Sequence, residues 1–396
     1  MAYINFKEEK VVAEKQLDKR KHNNENMYGY ILKHKDSLSG YFPSEKYSYT
    51  RFNDKIIGKK DILGEEDFLV ISDEDIVCSK FTNCKFTNVK FKSCRFVACT
   101  FDSCEFSAGG VIFENCILIK EDSDKLPALN RKDNLSCRFY NCSVYAKFLN
   151  SDISYVIFEE SKIDNTSFEQ SSMKNIIINK SEIKNIKIED CDFSGGKIIS
   201  TYIVDFEFND KSRTKFDEKT FFDKIQPRVK DKAEYEGIYM TYETIANKFK
   251  ENTLNNNFGE YYYLGKCTER KCIPIIPRIW SYIYWLVCGY GERAEYALLS
   301  GIVIMLIFSV IYLFTGVEIN GENVNYTIST LNQITISKLM RDLNETITLS
   351  VGVFGGVGAI NCNPTETSYF VSHIEIILGI VMMGIGIGAL TRKIIR

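Results

Sequence analysis

The residues that most suggest chemistry lie near the C-terminal end, where the chain reads GGVGAINCNP from Gly355 to Pro364 between two apolar spans. The first span, Tyr296 to Phe314, carries no charge and is long enough to cross a ~30 Å hydrocarbon core as a helix. The second runs from about Val371 to Leu390 and is interrupted only by His373 and Glu375. Between them, Leu349 to Ile360 is apolar and glycine-rich yet too short for a third span, so it must be buried in protein or line water at membrane depth. That pattern points to a pore loop, and the chemistry it implies is the passage of ions.

These residues resemble the two-span pore domain of the potassium-channel superfamily, in which a pore helix feeds a filter of the type TTVGYGDxxP. Aligned on the valine, glycine and proline, Gly355, Gly356, Val357, Gly358, Ala359, Ile360 and Asn361 fall on TTVGYGD, with Pro364 in register. Leu349, Ser350, Val351 and Phe354 match the end of the pore helix, and Glu375 and Gly379 fall where the inner helix begins. The resemblance implies a homotetramer in a lipid bilayer, with a selectivity filter over 355–361 that passes permeant ions. It also implies an outer mouth including Asn361, Glu366, His373 and Glu375, and a gating hinge at Gly379 or Gly384.

In that family successive backbone carbonyls face dehydrated cations, and glycines permit the alternating backbone handedness. Gly358 keeps one such position, but Ile360 stands where another glycine would, and a β-branched residue is strained at positive φ. Ala359 replaces the bracing aromatic, Gly356 removes a coordinating hydroxyl, and Asn361 removes an acid. The expectation is a cation pore with weak or altered potassium selectivity. The competing reading is a tight glycine turn in a two-helix anchor. The run at Gly384, Gly386 and Gly388 fits close helix packing as well as a hinge.

Flanking charge sets the expected orientation. Arg270, Lys271, Arg278 and Arg293 precede the first span, and Arg392, Lys393 and Arg396 follow the second. The connecting segment has Lys338 and Arg341 against Glu318, Glu322, Asp342, Glu345 and Glu366. This predicts a multi-pass protein of the cell membrane with both termini cytoplasmic, and an acid excess outside that favours cations. Ahead of the first span, Ile279 to Tyr290 holds both tryptophans, Trp280 and Trp285, with Tyr282, Tyr284 and Tyr290, which suits a helix lying in the interfacial plane.

The elements that must hold such a pore begin with a repeat. From Phe81 an aromatic recurs every five residues, at Phe86, Phe91, Phe96, Phe101 and Phe106, and Cys84, Cys94, Cys99 and Cys104 stand two before it. Neither a helix nor a flat strand has that period. After a register shift around Phe113, a charged insertion near Lys120 to Asn134 and a slip around Phe148, the pattern resumes from Phe158 and runs to Phe208. Small or apolar residues again sit two before, among them Val156, Ser161, Thr166, Ser171, Cys191 and Thr201.

This resembles the pentapeptide-repeat family. The likeness implies a right-handed, four-sided β-helix whose central and preceding small residues point inward, with about twenty residues per coil and a coil rise near the ~4.8 Å strand spacing. The ladder cysteines are then reduced packing residues rather than metal ligands. DNA mimicry, known in that family, is disfavoured because Lys80, Lys85, Lys90, Lys92, Lys174, Lys180, Lys184 and Lys187 speckle the rod.

The fold class expected is therefore mixed: a β-helix, a helical linker and a two-helix pore-loop membrane domain. The divisions are 1–65 (capping or irregular), 66–210 (β-helix), 211–278 (helical linker), 279–290 (interfacial helix) and 291–396 (pore domain). In the linker, Tyr235, Ile238, Tyr239, Tyr242 and Ile245 mark one helix ending near Lys250, and Phe258 to Cys267 a second. Cys267 and Cys272 lack further ligands for a metal.

With 50 Lys and Arg against 52 Asp and Glu over 396 residues, the chain has no basic excess to bind nucleic acid. The start MAYINFKEEK is charged and reads as no secretory signal. With histidine only at His22, His34 and His373, no phosphate loop and no nucleophile elbow, neither catalysis nor a cofactor is expected. The β-helix would act as a sensor or scaffold for an unidentified cytoplasmic ligand or protein. The alternative function is a non-conducting, membrane-anchored pentapeptide-repeat scaffold.

Overall fold

A computed structural model describes residues 4–35, 41–60, 67–119, 137–327, 335–359 and 361–395. The chain forms two compact units, Ala2–Cys272 and Ile273–Arg396. The charged insertion expected near Lys120 to Asn134 lies outside the described residues.

The first unit is a β-solenoid. Its strands pair in parallel with partners one coil away, Phe81 with Phe101 and Ile183 with Ile203, so that a regular coil takes twenty residues. Four ladders make four sides. One climbs from Phe52 through Phe81, Phe101, Phe139, Phe158, Ile178 and Ile198 to Phe222. Two others are carried by Phe86 with Phe106 and by Phe91 with Phe113, and the fourth by Ile76, Phe96 and Leu118. Rings on successive coils stack at 4.9, 5.0, 4.6 and 4.7 Å from Phe52 to Phe158, which is the strand spacing itself.

The corners explain the five-residue period. Asn83, Asn88, Ser93, Ala98 and Ser103 all take left-handed backbone, with φ between 47° and 54°. Such residues cost roughly 1–2 kcal/mol each outside glycine, least for Asn and Asp, and only the continuous aromatic core offsets that. The inward small residues satisfy the turns. The Cys104 thiol donates toward Phe81 O at 3.3 Å and Asp102 O at 3.4 Å. In the same role, Ser161 Oγ lies 2.9 Å from Glu159 O and 3.3 Å from Phe139 O, and accepts from Cys142 N at 3.1 Å. All thirteen cysteines are free, and those of the ladder are buried.

The solenoid is longer than the repeat suggested. Pairing starts at Arg51–Asn53 and Ile56–Gly58 and ends at Phe221–Phe222, beyond both limits of 66–210. The outermost strands lack the repeating letters because one neighbour, not two, dictates them. The described part of 1–65 contains a long helix. Helix α1, Phe6–Lys33, lies along the solenoid: Ala13 packs with Ile199 and Phe221, Leu17 with Ile157 and Ile177, and Ile31 with Val77 and Val97. Arg20, held below its ordinary value near 10 by burial, donates to Tyr155 O and Asn175 O at 2.9 Å each.

Beyond the last coil, α2 (Lys232–Glu251) and α3 (Asn255–Glu269) form a hairpin, slightly longer than their apolar spacing indicated. They cover the open edge. Tyr261 Oη accepts from Phe222 N at 2.8 Å and donates to Phe222 O at 2.9 Å, while Tyr242 Oη accepts from Ile225 N at 2.8 Å. Phe249 meets Phe216 edge-on at 5.0 Å.

Among the described residues the second unit holds four α-helices: α4 (Ile275–Cys288), α5 (Ala294–Thr315), α6 (Ile336–Phe354) and α7 (Tyr369–Ile395). Two of them, α5 and α7, are long and apolar enough to cross a membrane. Helix α4 begins four residues before the expected interfacial helix and exposes Ile276, Ile279, Trp280, Ile283 and Tyr284. Gly289, left-handed at φ 51°, closes it.

Because thiol and hydroxyl do the same work in the ladder, Ser161→Cys is expected to cost under about 1 kcal/mol and Ser161→Val about 1–3 kcal/mol, since valine leaves Cys142 N unpaired. Denaturant titration of the two variants checks this, and equal stabilities would refute the ladder role.

Candidate functional site

Helix α6 is amphipathic by spacing. Asp342, Thr346, Leu349, Ser350 and Val353 fall on one face and are buried, which turns that face toward α5 and α7. Near its start, Asp342 accepts from Tyr326 Oη at 2.5 Å and from Arg341 Nε at 3.3 Å. Burial, and then Asp342, push the Tyr326 phenol up to about 12.

One carboxylate joins the three helices. Glu375 on α7 is wholly buried; Tyr312 Oη on α5 donates to it at 2.7 Å and Ser350 Oγ on α6 donates to its other oxygen. Ser350 Oγ also lies 2.9 Å from Met305 O. Glu375 therefore does not belong to an outer mouth. It lies near the start of α7, and the rotation of that helix turns it into the packing, where two hydroxyl donors meet it. The signal available in the sequence was an acid inside an apolar run, which calls for a partner at the same depth.

The glycine segment follows α6. Gly355 N donates to Val351 O and Gly356 N to Val353 O, each at 3.0 Å, finishing the helix. Gly356 and Gly358 then take φ of 74° and 77° on either side of Val357, which is 88% exposed. Val357 N and Gly358 N both donate to Gly352 O, at 2.8 and 3.0 Å. Gly352 cannot bear a side chain, since its Cβ would lie 2.0 Å from Gly358 O. Ala359 packs partly against the Phe308–Tyr312 cluster. Ile360 lies outside the described residues.

By Cys362 the chain is back beside the end of α5. Val317–Ile319 pairs antiparallel with both Glu322–Val324 and Cys362–Pro364, and Asn320 N donates to Asn361 O at 3.0 Å. This three-stranded sheet has no counterpart in the sequence reading, because strands of three residues carry no usable periodicity. Asn361, Glu366 and His373 are exposed. Thr365 and Thr367 tie the turn before α7 to Gly316 O and Thr315 O at 2.8 and 2.6 Å.

The two hinge candidates separate. A Cβ on Gly379 would lie 2.2 Å from Phe354 O, so Gly379 is where α7 crosses the end of α6 most closely. Nothing lies within 4 Å of a Cβ on Gly384. Helix α7 is continuous through both.

No family model matches the chain, and no curated protein does. Among solved structures, full-length QnrB1, a plasmid-mediated fluoroquinolone resistance protein, is 14% identical over 40% of this chain and 79% of its own, with a TM-score of 0.24. HetL, a pentapeptide repeat protein involved in heterocyst differentiation regulation in the cyanobacterium Nostoc sp. strain PCC 7120, is 10% identical over 44% of this chain and 93% of its own, with a TM-score of 0.13. At those scores the class rests on the strand ladders and corners described above. They define a pentapeptide-repeat β-solenoid, followed by helices of which two are apolar enough to cross a membrane.

Gly379→Ala is expected to destabilise the helical unit by about 1–3 kcal/mol through the clash with Phe354 O, and Gly384→Ala to be near neutral. Thermal unfolding of the detergent-solubilised chain checks the pair. Equal midpoints would refute the crossing.

Proposed function

We propose that the protein is an oligomeric membrane ion channel, cation-conducting with weak or altered potassium selectivity, whose solenoid serves as a cytoplasmic sensor or scaffold. The observation that carries this reading is the re-entrant course of 336–364. An amphipathic helix descends between two apolar helices, ends in a glycine segment of alternating handedness at Gly356 and Gly358, and the chain returns to pair with the end of α5. A plain two-helix anchor needs no such excursion, and backbone of this kind at membrane depth is tolerated only where it is buried or lines water.

Further support comes from the surface of α5 and α7. An open apolar cleft of about 600 Å³ between them is lined by Ala297, Gly301, Phe354, Met382 and Gly386. Small residues of this kind admit a neighbouring helix, as a homotetramer would supply. In the proposed assembly Asn361, Glu366 and His373 stand at the outer side, with both termini in the cytoplasm, as the flanking basic residues favour.

One observation favours the alternative, a non-conducting membrane-anchored scaffold. The Gly358 carbonyl approaches Gly352 within the reach of a Cβ, so it faces the helix end rather than an ion path. A pore of this chain then conducts through fewer carbonyls than a potassium filter, in line with poor selectivity.

Purified protein in planar bilayers under potassium, sodium and chloride gradients should give currents reversing near the cation potentials, with little preference for potassium over sodium. Reversal at the chloride potential, or an intact oligomer without current, would overturn the reading. Ala359→Tyr together with Ile360→Gly should raise the preference for potassium; an unchanged reversal potential would sink the filter alignment.

A further inference from the structure

Among the described residues the solenoid lacks one corner. Between its second and third sides, regular coils place the two core residues five apart with a left-handed residue between them, as Ile163, Asn165 and Phe168 do. In the preceding coil Val144 and Phe148 are only four apart, and Ser143–Leu149 runs straight through as a single strand with no left-handed residue. The coil before that errs the other way, with a register shift between Phe106 and Val111 that takes up Gly110. A short coil between a bulged one and a normal one leaves a notch. Its volume is about 380 Å³, within the ~300–1,000 Å³ of small-ligand sites.

The notch is chemically one-sided. Lys147, Ser167 and Lys187 stand in register on three consecutive coils, so two ammonium side chains flank one hydroxyl at the ~4.8 Å strand spacing. Among the described residues, Ser167 Oγ is buried and has no hydrogen-bond partner within the protein, so its hydroxyl is open to a bound group. No carboxylate lines the notch. Of the acids that adjoin it, Asp164 accepts from Asn165 and Asn185 at 3.1 and 3.4 Å, and Glu207 follows Lys187 in the same column. Tyr145, 38% exposed, also lines the notch, two residues before Lys147 on the same strand.

The geometry points to a binding site for a small ligand that joins a phosphate to a planar ring, of mononucleotide size. The phosphate accepts from Ser167 Oγ between Lys147 and Lys187, and the ring lies against Tyr145. Bulges and interrupted repeats concentrate beside functional sites, and this is where the five-residue rule fails. The site does not depend on conduction, since every residue belongs to Ala2–Cys272.

Isothermal titration of the full chain in detergent, with adenosine monophosphate, adenosine and inorganic phosphate as probes, tests it. Adenosine monophosphate should bind at least about tenfold more tightly than either fragment, because both halves of the notch contribute. Lys187→Gln and Ser167→Ala should each weaken it about tenfold, while Lys184→Gln, exposed on the same strand, leaves it unchanged. Circular dichroism on the variants secures that they are folded. Absence of binding by all three probes at millimolar concentration, or equal losses in Lys184→Gln and Lys187→Gln, would overturn the site. Equal affinity for phosphate and for the nucleotide would overturn the ring contact.

Discussion

Each regular coil of the solenoid turns four corners, and each corner brings carbonyl and amide groups into the core that the strand ladders alone do not reach. A buried peptide group without a partner costs about 1–3 kcal/mol, so a stack of coils with unanswered corners would not be stable whatever its aromatic packing. The inward thiols and hydroxyls answer them. Cys104, Cys142 and Cys191 point at the carbonyls two residues back and one coil behind, and Ser161, Thr166 and Ser171 do the same. Residue size matters as much as chemistry here, because only a short side chain fits beside the stacked rings. The ladder cysteines serve that role alongside serine and threonine.

The same obligation shapes the two boundaries of the stack and its long side. At the last coil the exposed edge of Phe222 and Ile225 is met by two tyrosine hydroxyls, Tyr261 and Tyr242, rather than by another coil. Along the side, Arg20 carries a guanidinium into apolar surroundings in order to bond two corner carbonyls, Tyr155 O and Asn175 O. Burial alone would disfavour that charge. Helix α1 is therefore a component of the solenoid, not an appendage: it covers Val77, Val97, Ile157, Ile177 and Ile199, which face outward from the ladder and would otherwise meet water.

What was legible from the sequence follows from this physics. A period of five, carried by Phe and Ile with small residues two before, is unusual enough to carry a resemblance to pentapeptide repeats, and that likeness implied the coil, its twenty-residue length and the inward cysteines. The helical hairpin over 232–269 was readable because its apolar spacing is regular. The edges were not, since Arg51–Gly58 and Phe221–Phe222 pair on one side only and need not repeat the motif. Helix α1 is far longer than the short amphipathic stretch around Val11 to Leu17 that the sequence indicates, because its buried face is narrow, with Ala13, Leu17 and Ile31 spread over 28 residues among charges. In the helical unit the two long apolar helices and the last turns of α6 were visible, whereas the first half of α6, the short sheet and the direction of each side chain around α7 were not.

Glu375 shows where a linear alignment stops being informative. Matching letters assign a residue its height along a helix, but function depends also on its azimuth, and one helical residue is a 100° turn. At its height Glu375 could stand at an aqueous mouth or in the middle of the packing, and the sequence register is the same for both. Its neighbours decide. Tyr312 and Ser350 present hydroxyls from α5 and α6, and the wholly buried carboxylate accepts from both. One interaction thus fixes three helices at one level, and the turn of Gly355–Gly358 hangs from the α6 that it fixes. The loop can then be glycine-rich and exposed without losing its place, because its position is set by the helix above it, by the bonds of Val357 N and Gly358 N to Gly352 O, and by the strand at Cys362–Pro364.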